Sequence, residues 1–377
     1  MINEDAIKEY IRKKFSGVTN VEVRKLGSGV QGSGFLVIIT TSEGIREYVV
    51  KALIPEGFGH DYPSDRASVF LLDLDEFNNL PKHINAIDVL SEMKDGSIKS
   101  IGGGKEYYLL MEKAEGTDYF KDLNEFSEKT KLEEKDIQKI KSMASYLAGI
   151  HSTKKDSKVL YWRKLRDTVG HGECLMGVFD LYPDGTMSYE EMKYIINKSV
   201  DWAYKLKPKY KRLSQIHGDF HPGNIWFKED GGQKPEVRSQ RPEDISHPPI
   251  PPLARGGEGG VDFILLDRSR GPWGEPADDV AALAINYIFF SIKNHGDVRG
   301  AYLEGLRLFF EEYVMASGDK EINEVVALFF AFRSAVVANP VFYPELPEDA
   351  RNKIFRFTEN VLTVDRFEVN KVNEYIL

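Results

Sequence analysis

A chain of 377 residues, 42% hydrophobic and 29% charged, is long enough for two domains and apolar enough for sizeable cores. Its formal net charge of -9 argues against a nucleic-acid partner, which would call for a basic face. The single cysteine, Cys174, excludes a disulfide framework and fits a reducing cytoplasm.

The N-terminus reads as a helix, not a leader. Asn3 caps it, acids follow, and Ala6, Ile7, Tyr10, Ile11 and Phe15 share one face. Residues 21 to 113 then read as β-rich. Val21–Leu26 alternates, Phe35–Thr40 is an apolar β-branched run, Thr41–Gly44 turns, and Ile45–Ala52 returns as a strand. One helix is expected from about Ser64 to Leu80. Two more strands surround Ile87–Leu90 and Tyr107–Met111.

From about residue 114 the period becomes helical. Helices are expected over Lys135–His151, Tyr189–Lys205, Ala277–Ile292, Gly300–Ala316, Ile322–Ala338 and Glu348–Leu362. The most apolar stretch, Val280–Ile292, carries Asn286 and Ser291 and is too short to span a bilayer, so no membrane association is expected. The plan is α+β. Residues 1–113 carry a small antiparallel sheet, and residues 114–377 are mostly helical. Residues 231–260 stand apart, with twelve Gly or Pro among thirty and no aromatic residue. That composition reads as a mobile inserted loop, or as a proline-rich ligand for a partner domain.

The most informative segment is His217-Gly-Asp-Phe-His-Pro-Gly-Asn224. Phosphoryl transfer needs a carboxylate to take or orient the acceptor hydroxyl's proton, and a nearby oxygen ligand for magnesium. An Asp followed five positions later by an Asn has the spacing of that pair in kinase catalytic loops. Asp219 is the candidate base and Asn224 a candidate metal ligand. Asp267, leaving the apolar run Val261–Leu266, is the candidate second metal ligand. His217 is expected to brace the loop, and His221 to do likewise or to lie near the phosphates. Asp279 suits a helix start. His217-x-Asp219-x-His221 also has the look of a metallohydrolase cluster, but such sites need further His and Asp ligands downstream, and His247 and His295 lie in loop-like or unremarkable contexts.

Upstream, Gly27-Ser-Gly-Val-Gln-Gly-Ser-Gly34 lies between two strands. Glycines there let backbone amides approach phosphate oxygens, although such a turn is often only a turn. It is neither a P-loop nor a Rossmann turn. Lys51 sits inside an apolar strand, where an unpaired ammonium is costly, and phosphates with a helix carboxylate would pair it. Asp75 and Glu76 are the carboxylates in position. The backbone of Glu112 to Ala114, where the β-rich part ends, is placed to meet an adenine edge. Cys174, with His171 nearby, offers a remote nucleophile reading.

These motifs resemble the aminoglycoside phosphotransferase and choline kinase superfamily of small-molecule kinases. The resemblance rests on His217–Asn224 and on Leu266-Asp267 followed by Gly274-Glu-Pro-Ala-Asp-Asp279-Val-Ala. Tyr146-Leu-Ala-Gly-Ile-His151 supports it, and it spans roughly residues 20 to 345. It implies a bilobal protein-kinase-like fold with ATP or GTP as co-substrate. Asp219 would be the base, and Asn224 and Asp267 the Mg2+ ligands. Lys51 would meet the phosphates, with Gly27, Ser28, Gly29 and Gly32 forming the glycine loop. Two departures stand out: the Gly/Pro-rich insertion between the catalytic motifs, and the Arg268-Ser-Arg270 run after the metal aspartate. The short segment after Asp267, with no Ala-Pro-Glu, leaves little room for a protein kinase's activation loop. A small hydroxyl acceptor is the expected partner, and a non-catalytic nucleotide-binding scaffold is the alternative. Neither the acceptor's identity nor the oligomeric state is legible.

Overall fold

The computed structural model describes residues 3–29, 31–54, 63–100, 106–228, 261–268 and 270–377. The Gly/Pro-rich stretch at 231–260, with the loop expected there, lies outside them. The chain divides into two compact units. One holds residues 1–78, 83–114 and 267–269, and the other holds 79–82, 115–266 and 270–377.

The first unit opens with α1 (Glu4–Lys14). Asn3 accepts a hydrogen bond from the Ala6 amide, acids occupy the first turn and bases the last, so cap and dipole agree. Strands β1 (Val18–Ser28), β2 (Gly32–Thr41) and β3 (Gly44–Leu53) form a meander. Helix α2 (Pro63–Glu76) follows, then β4 (Ala86–Glu92), β5 (Ile98–Ser100) and β6 (Glu106–Glu112). The six strands form one antiparallel sheet in the order β1-β2-β3-β6-β4-β5. Ile7 and Ile11 of α1 pack with Val21, Val37, Ile39, Val50 and Leu110 in one cluster, all fully or nearly fully buried. Val50 and Leu110 stand opposite each other across β3 and β6.

The second unit is mostly helical. It begins with β7 (Thr117–Asp118), α3 (Phe120–Glu125), α4 (Glu134–His151), α5 (Lys158–Gly170), α6 (Leu175–Phe179) and α7 (Tyr189–Leu206). Short strands β8 (Ser214–Gln215), β9 (Ile225–Phe227), β10 (Phe263–Leu265) and β11 (Trp273–Gly274) frame the segment at 216–224. Then come α8 (Ala277–His295), α9 (Gly300–Ser317), α10 (Ile322–Val325), α11 (Ala327–Val337), α12 (Glu348–Val361) and α13 (Val372–Tyr375). Helices α4 and α7 each open with a capping box, Glu133/Asp136 and Ser188/Glu191. Every residue of α8 from Ala277 to Ile292 is buried, so it is the central helix of this unit, apolar nearly all round. Its few polar positions, Asp278, Asp279, Asn286 and Ser291, therefore need partners. Gly296, at φ 78°, ends it.

The α+β plan matches the expectation, with two differences in the helices. The single helix expected over Ile322–Ala338 is two, broken at Val326. Helices α3, α5, α6 and α13 are additional. Among the described residues no helix is long and apolar enough to cross a membrane.

Candidate active site

In the second unit the loop from Ile216 to Asn224 hangs between the β8/β11 and β9/β10 ladders. The Ile216 amide bonds the Pro272 carbonyl, and the Leu266 amide bonds the Asn224 carbonyl, so both ends are pinned. Asp279 fixes the entry. Its carboxylate accepts the amides of His217 and Gly218, each at 2.7 Å, and faces His151 Nε2 at 3.1 Å. His151 in turn shares its Nδ1 with the Tyr313 hydroxyl. Asp279 is thus more than the dipole-complementing acid of a helix start: fully buried, it works on the loop. Gly218 has φ 88°, and a Cβ there would lie 3.4 Å from Arg270 Cβ, so only glycine fits easily. His217 Nδ1 accepts from the Asp219 amide and His221 Nδ1 from the Gly223 amide, so both histidines brace the turn.

Asp219 and Asn224 are joined within this loop, for Asn224 Nδ2 donates to the Asp219 carbonyl at 3.0 Å. That bond uses the amide nitrogen and leaves Oδ1 as the atom able to ligate a cation. The Asp219 carboxylate is far from bare. Arg270 Nη1 lies 2.7 Å and Arg333 Nη1 2.5 Å from its Oδ1, and His221 Nε2 is 3.9 Å from Oδ2. Burial alone would raise its pKa, but the Arg270 and Arg333 guanidiniums and His221 outweigh burial and hold it well below the usual carboxylate range. Arg333, on α11, also donates to the Gly218 carbonyl and to buried Asp278, which Lys164 pairs at 2.5 Å. Arg270 and Arg333 both stack on Phe332, with 5.2 and 4.5 Å to the ring centroid.

Neither Arg333 nor Asp278 was singled out by the sequence reading. The signal existed: a charge inside an apolar helix needs a partner, and Arg333 sits within Leu328-Phe-Phe-Ala-Phe-Arg-Ser-Ala-Val-Val337. Cys174 is buried, with its thiol pushed up to about 11 by that burial, which suits an inert core residue.

In the first unit, Lys51 lies on β3 opposite Gly34 on one side and Leu109 on the other. Its ammonium pairs directly with Asp267. Asp267 adopts φ 59°, a left-handed conformation that Asp tolerates better than most residues. Beside it, Arg268 is nearly fully buried, donates to the Glu76 carbonyl at 2.9 Å and pairs with the Glu76 carboxylate at 3.3 Å. Of the two carboxylates expected near Lys51, Glu76 is thus joined to the segment after Asp267, and Asp75 is exposed. Asp73, unremarked in the sequence, is fully buried.

The glycine turn closes through a Gly29 amide bond to the Gly32 carbonyl, and Ser28 pairs with Ser33. Gly27 and Gly29 have open space where a Cβ would project. At Gly32 a Cβ would fall 2.2 Å from the Ala52 carbonyl oxygen, so this glycine answers to packing against β3. Glu112 ends β6 and accepts from Asn85 Nδ2, and Ala114 is half-buried just beyond it.

No protein-family model matches the chain, and no curated protein matches it. Several solved structures are similar to it at low identity. A choline kinase from Cryptosporidium parvum Iowa II is 13% identical over 99% of this chain and 92% of its own, with a TM-score of 0.48. An aminoglycoside phosphotransferase from Streptomyces rimosus is 11% identical over 91% and 99%, at 0.49. A choline/ethanolamine kinase family protein from Mesorhizobium loti is 8% identical over 100% and 99%, also at 0.49. With identities this low, none of these likenesses assigns an activity.

Proposed function

We propose that this protein is a magnesium-dependent phosphotransferase that moves the γ-phosphate of ATP or GTP to a hydroxyl of a small molecule. The observation that carries this reading is the pinned loop, in which Asn224 is bonded to the Asp219 backbone and Asp279 clamps the entry. A carboxylate and a carboxamide oxygen held in fixed register are what the reaction needs from a protein, because positioning and electrostatics supply most of the catalysis. Lys51 and Asp267, paired in the first unit, are the residues proposed for the nucleotide phosphates and the metal.

The donor set suits magnesium. Asn224 Oδ1 in the second unit and the Asp267 carboxylate in the first are each a hard oxygen donor of the kind Mg2+ takes alongside phosphates and water. A bound ion would offset charge on the nucleotide phosphates. The chain's own contribution is at the acceptor. Asp219 receives the hydroxyl's hydrogen bond and orients its oxygen toward the γ-phosphorus. The new O–P bond forms as the bond from γ-phosphorus to the bridging oxygen breaks, the nucleoside diphosphate leaves, and the hydroxyl proton passes to Asp219. A carboxylate held so far below its ordinary pKa is a weak base in the ground state. In a loose transition state the proton moves late, so orientation is its main task.

The first test is thermal shift with ATP and GTP, with and without Mg2+, followed by ADP or GDP release with hydroxylated small molecules. A magnesium-dependent rise together with turnover supports the reading. Asp219→Ala should lower turnover by on the order of 10²–10⁴-fold while keeping the nucleotide shift. Equal turnover in both proteins would remove Asp219 from the reaction, and a nucleotide shift with no turnover on any acceptor would favour a non-catalytic scaffold.

A further inference from the structure

The two guanidiniums on Asp219 are not equivalent. Arg333 is used up: Nη1 is on Asp219, Nη2 on the Gly218 carbonyl and Asp278, and Nε on Asp278. Arg270 spends only Nη1 on Asp219. Its Nε is buried and makes no hydrogen bond among the described residues, the nearest carboxylate oxygen being that of Glu173 at 3.9 Å. Its Nη2 makes none either, although its side chain is only 9% exposed. The Nε/Nη2 edge is the side of a guanidinium that takes a carboxylate or phosphate with two parallel bonds. Here that edge makes no hydrogen bond beside the candidate base, and the Glu173 carboxylate faces its Nε without bonding it.

Charge balance points the same way. The permanent cations Lys164, Arg270 and Arg333 face Glu173, Asp219 and Asp278, three against three, with His221 a further group 3.9 Å from Asp219. When the acceptor's proton reaches Asp219, one carboxylate is neutralised and the buried cluster holds an uncompensated guanidinium, which is costly. A cationic acceptor would add to that excess, and an anionic one would cancel it.

We propose that the acceptor carries an oxyanion, a carboxylate or a phosphate ester, held on the Nε/Nη2 edge of Arg270 while its hydroxyl faces Asp219. The inference deepens the phosphotransferase reading and takes the hydroxyl's role from it. The oxyanion site itself can be tested without catalysis.

The test is calorimetric titration of the nucleotide-free protein with D-glycerate, glycerol 3-phosphate, glycerol and choline. At least one oxyanion should bind at millimolar concentration, with glycerol and choline much weaker. D-glycerate and glycerol 3-phosphate distinguish the two oxyanion sources. Arg270→Gln should weaken that binding by on the order of 30-fold or more, and MgATP should still stabilise the variant. Arg270→Lys keeps the charge but lacks the fork, so it should bind more weakly than wild type. That variant carries the test if Arg270→Gln does not fold. The proposal is overturned if neither oxyanion binds, if choline binds better than both, or if the substitutions leave oxyanion binding unchanged. It is also overturned if Arg270→Gln abolishes the MgATP effect and spares the oxyanion, since Arg270 would then serve the nucleotide. Absence of any MgATP effect in wild type would defeat the phosphotransferase reading alone.

Discussion

Asp219 and Asp278 are carboxylates that burial should make reluctant to ionise, and cations reverse that in both. For Asp219 the opposing groups are Arg270, Arg333 and His221, and for Asp278 they are Lys164 and Arg333. A depressed native pKa contributes stability that is fully present above the unfolded value, about 3.9 for Asp, and is lost as pH falls toward the native value. These two residues therefore leave stability flat from neutral pH to about pH 5 and steepen its loss below about pH 4. Asp278→Asn should be less stable at pH 7 and show a shallower acid limb. Urea midpoints from pH 7 down to pH 3 would measure both, and parallel curves for variant and wild type would refute the assignment. The sequence revealed Asp219 because phosphoryl transfer demands an Asp and an Asn at set spacing. It revealed Arg270 only as a charge near Asp267. Arg333 and Asp278 stayed hidden because their partners come from segments far away in sequence, and no local pattern encodes such a meeting.

At the scale of elements, α8 grips a loop more than fifty residues earlier in the chain. Asp279 meets two loop amides with one carboxylate. Asp279→Asn keeps one acceptor oxygen and puts an N–H pair where the other stood, leaving a buried amide unpaired. The expected cost is about 1–3 kcal/mol, visible as a lower urea midpoint with an unchanged m-value. Turnover should fall further than stability does, because the loop that carries Asp219 and Asn224 loosens. A variant with wild-type stability and turnover would show that the clamp is idle. Elements with a clean period were legible: α1, α4, α7, α8, α9 and α12 lie within a few residues of expectation. Helix α5 was missed because Lys164 occupies its buried face, so the apolar stripe through Tyr161, Leu165 and Val169 is interrupted by a charge. The break at Val326 carries no glycine or proline to announce it. At Gly32 the structure adds a requirement the sequence did not show, the close approach of the Ala52 carbonyl on the neighbouring strand. Register across a sheet is not written in either strand alone.

Among the described residues, two hydrophobic clusters share no residue. One is built on Ile7, Ile11, Val37 and Val50, the other on α4, α8, α9 and α11 with Phe330 and Phe357. Chains with separate cores commonly depart from a single two-state transition. Calorimetry should therefore give a van't Hoff enthalpy below the calorimetric one. Ile11→Ala, at a fully buried position of the smaller cluster, removes about 2–5 kcal/mol locally, and Phe330→Ala removes about 3–5 kcal/mol from the larger. Each should lower one part of the heat-absorption profile and leave the other near its wild-type temperature. MgATP offers an independent marker, since a ligand stabilises whatever must be folded to bind it, by about 2.7 kcal/mol at a hundredfold excess over Kd. If Lys51 and Asp267 of the first unit bind nucleotide, MgATP should raise the part of the profile that Ile11→Ala lowers. A single peak that both substitutions move equally would mean that the chain unfolds as one cooperative body, and the two clusters would then be divisions of geometry without energetic independence.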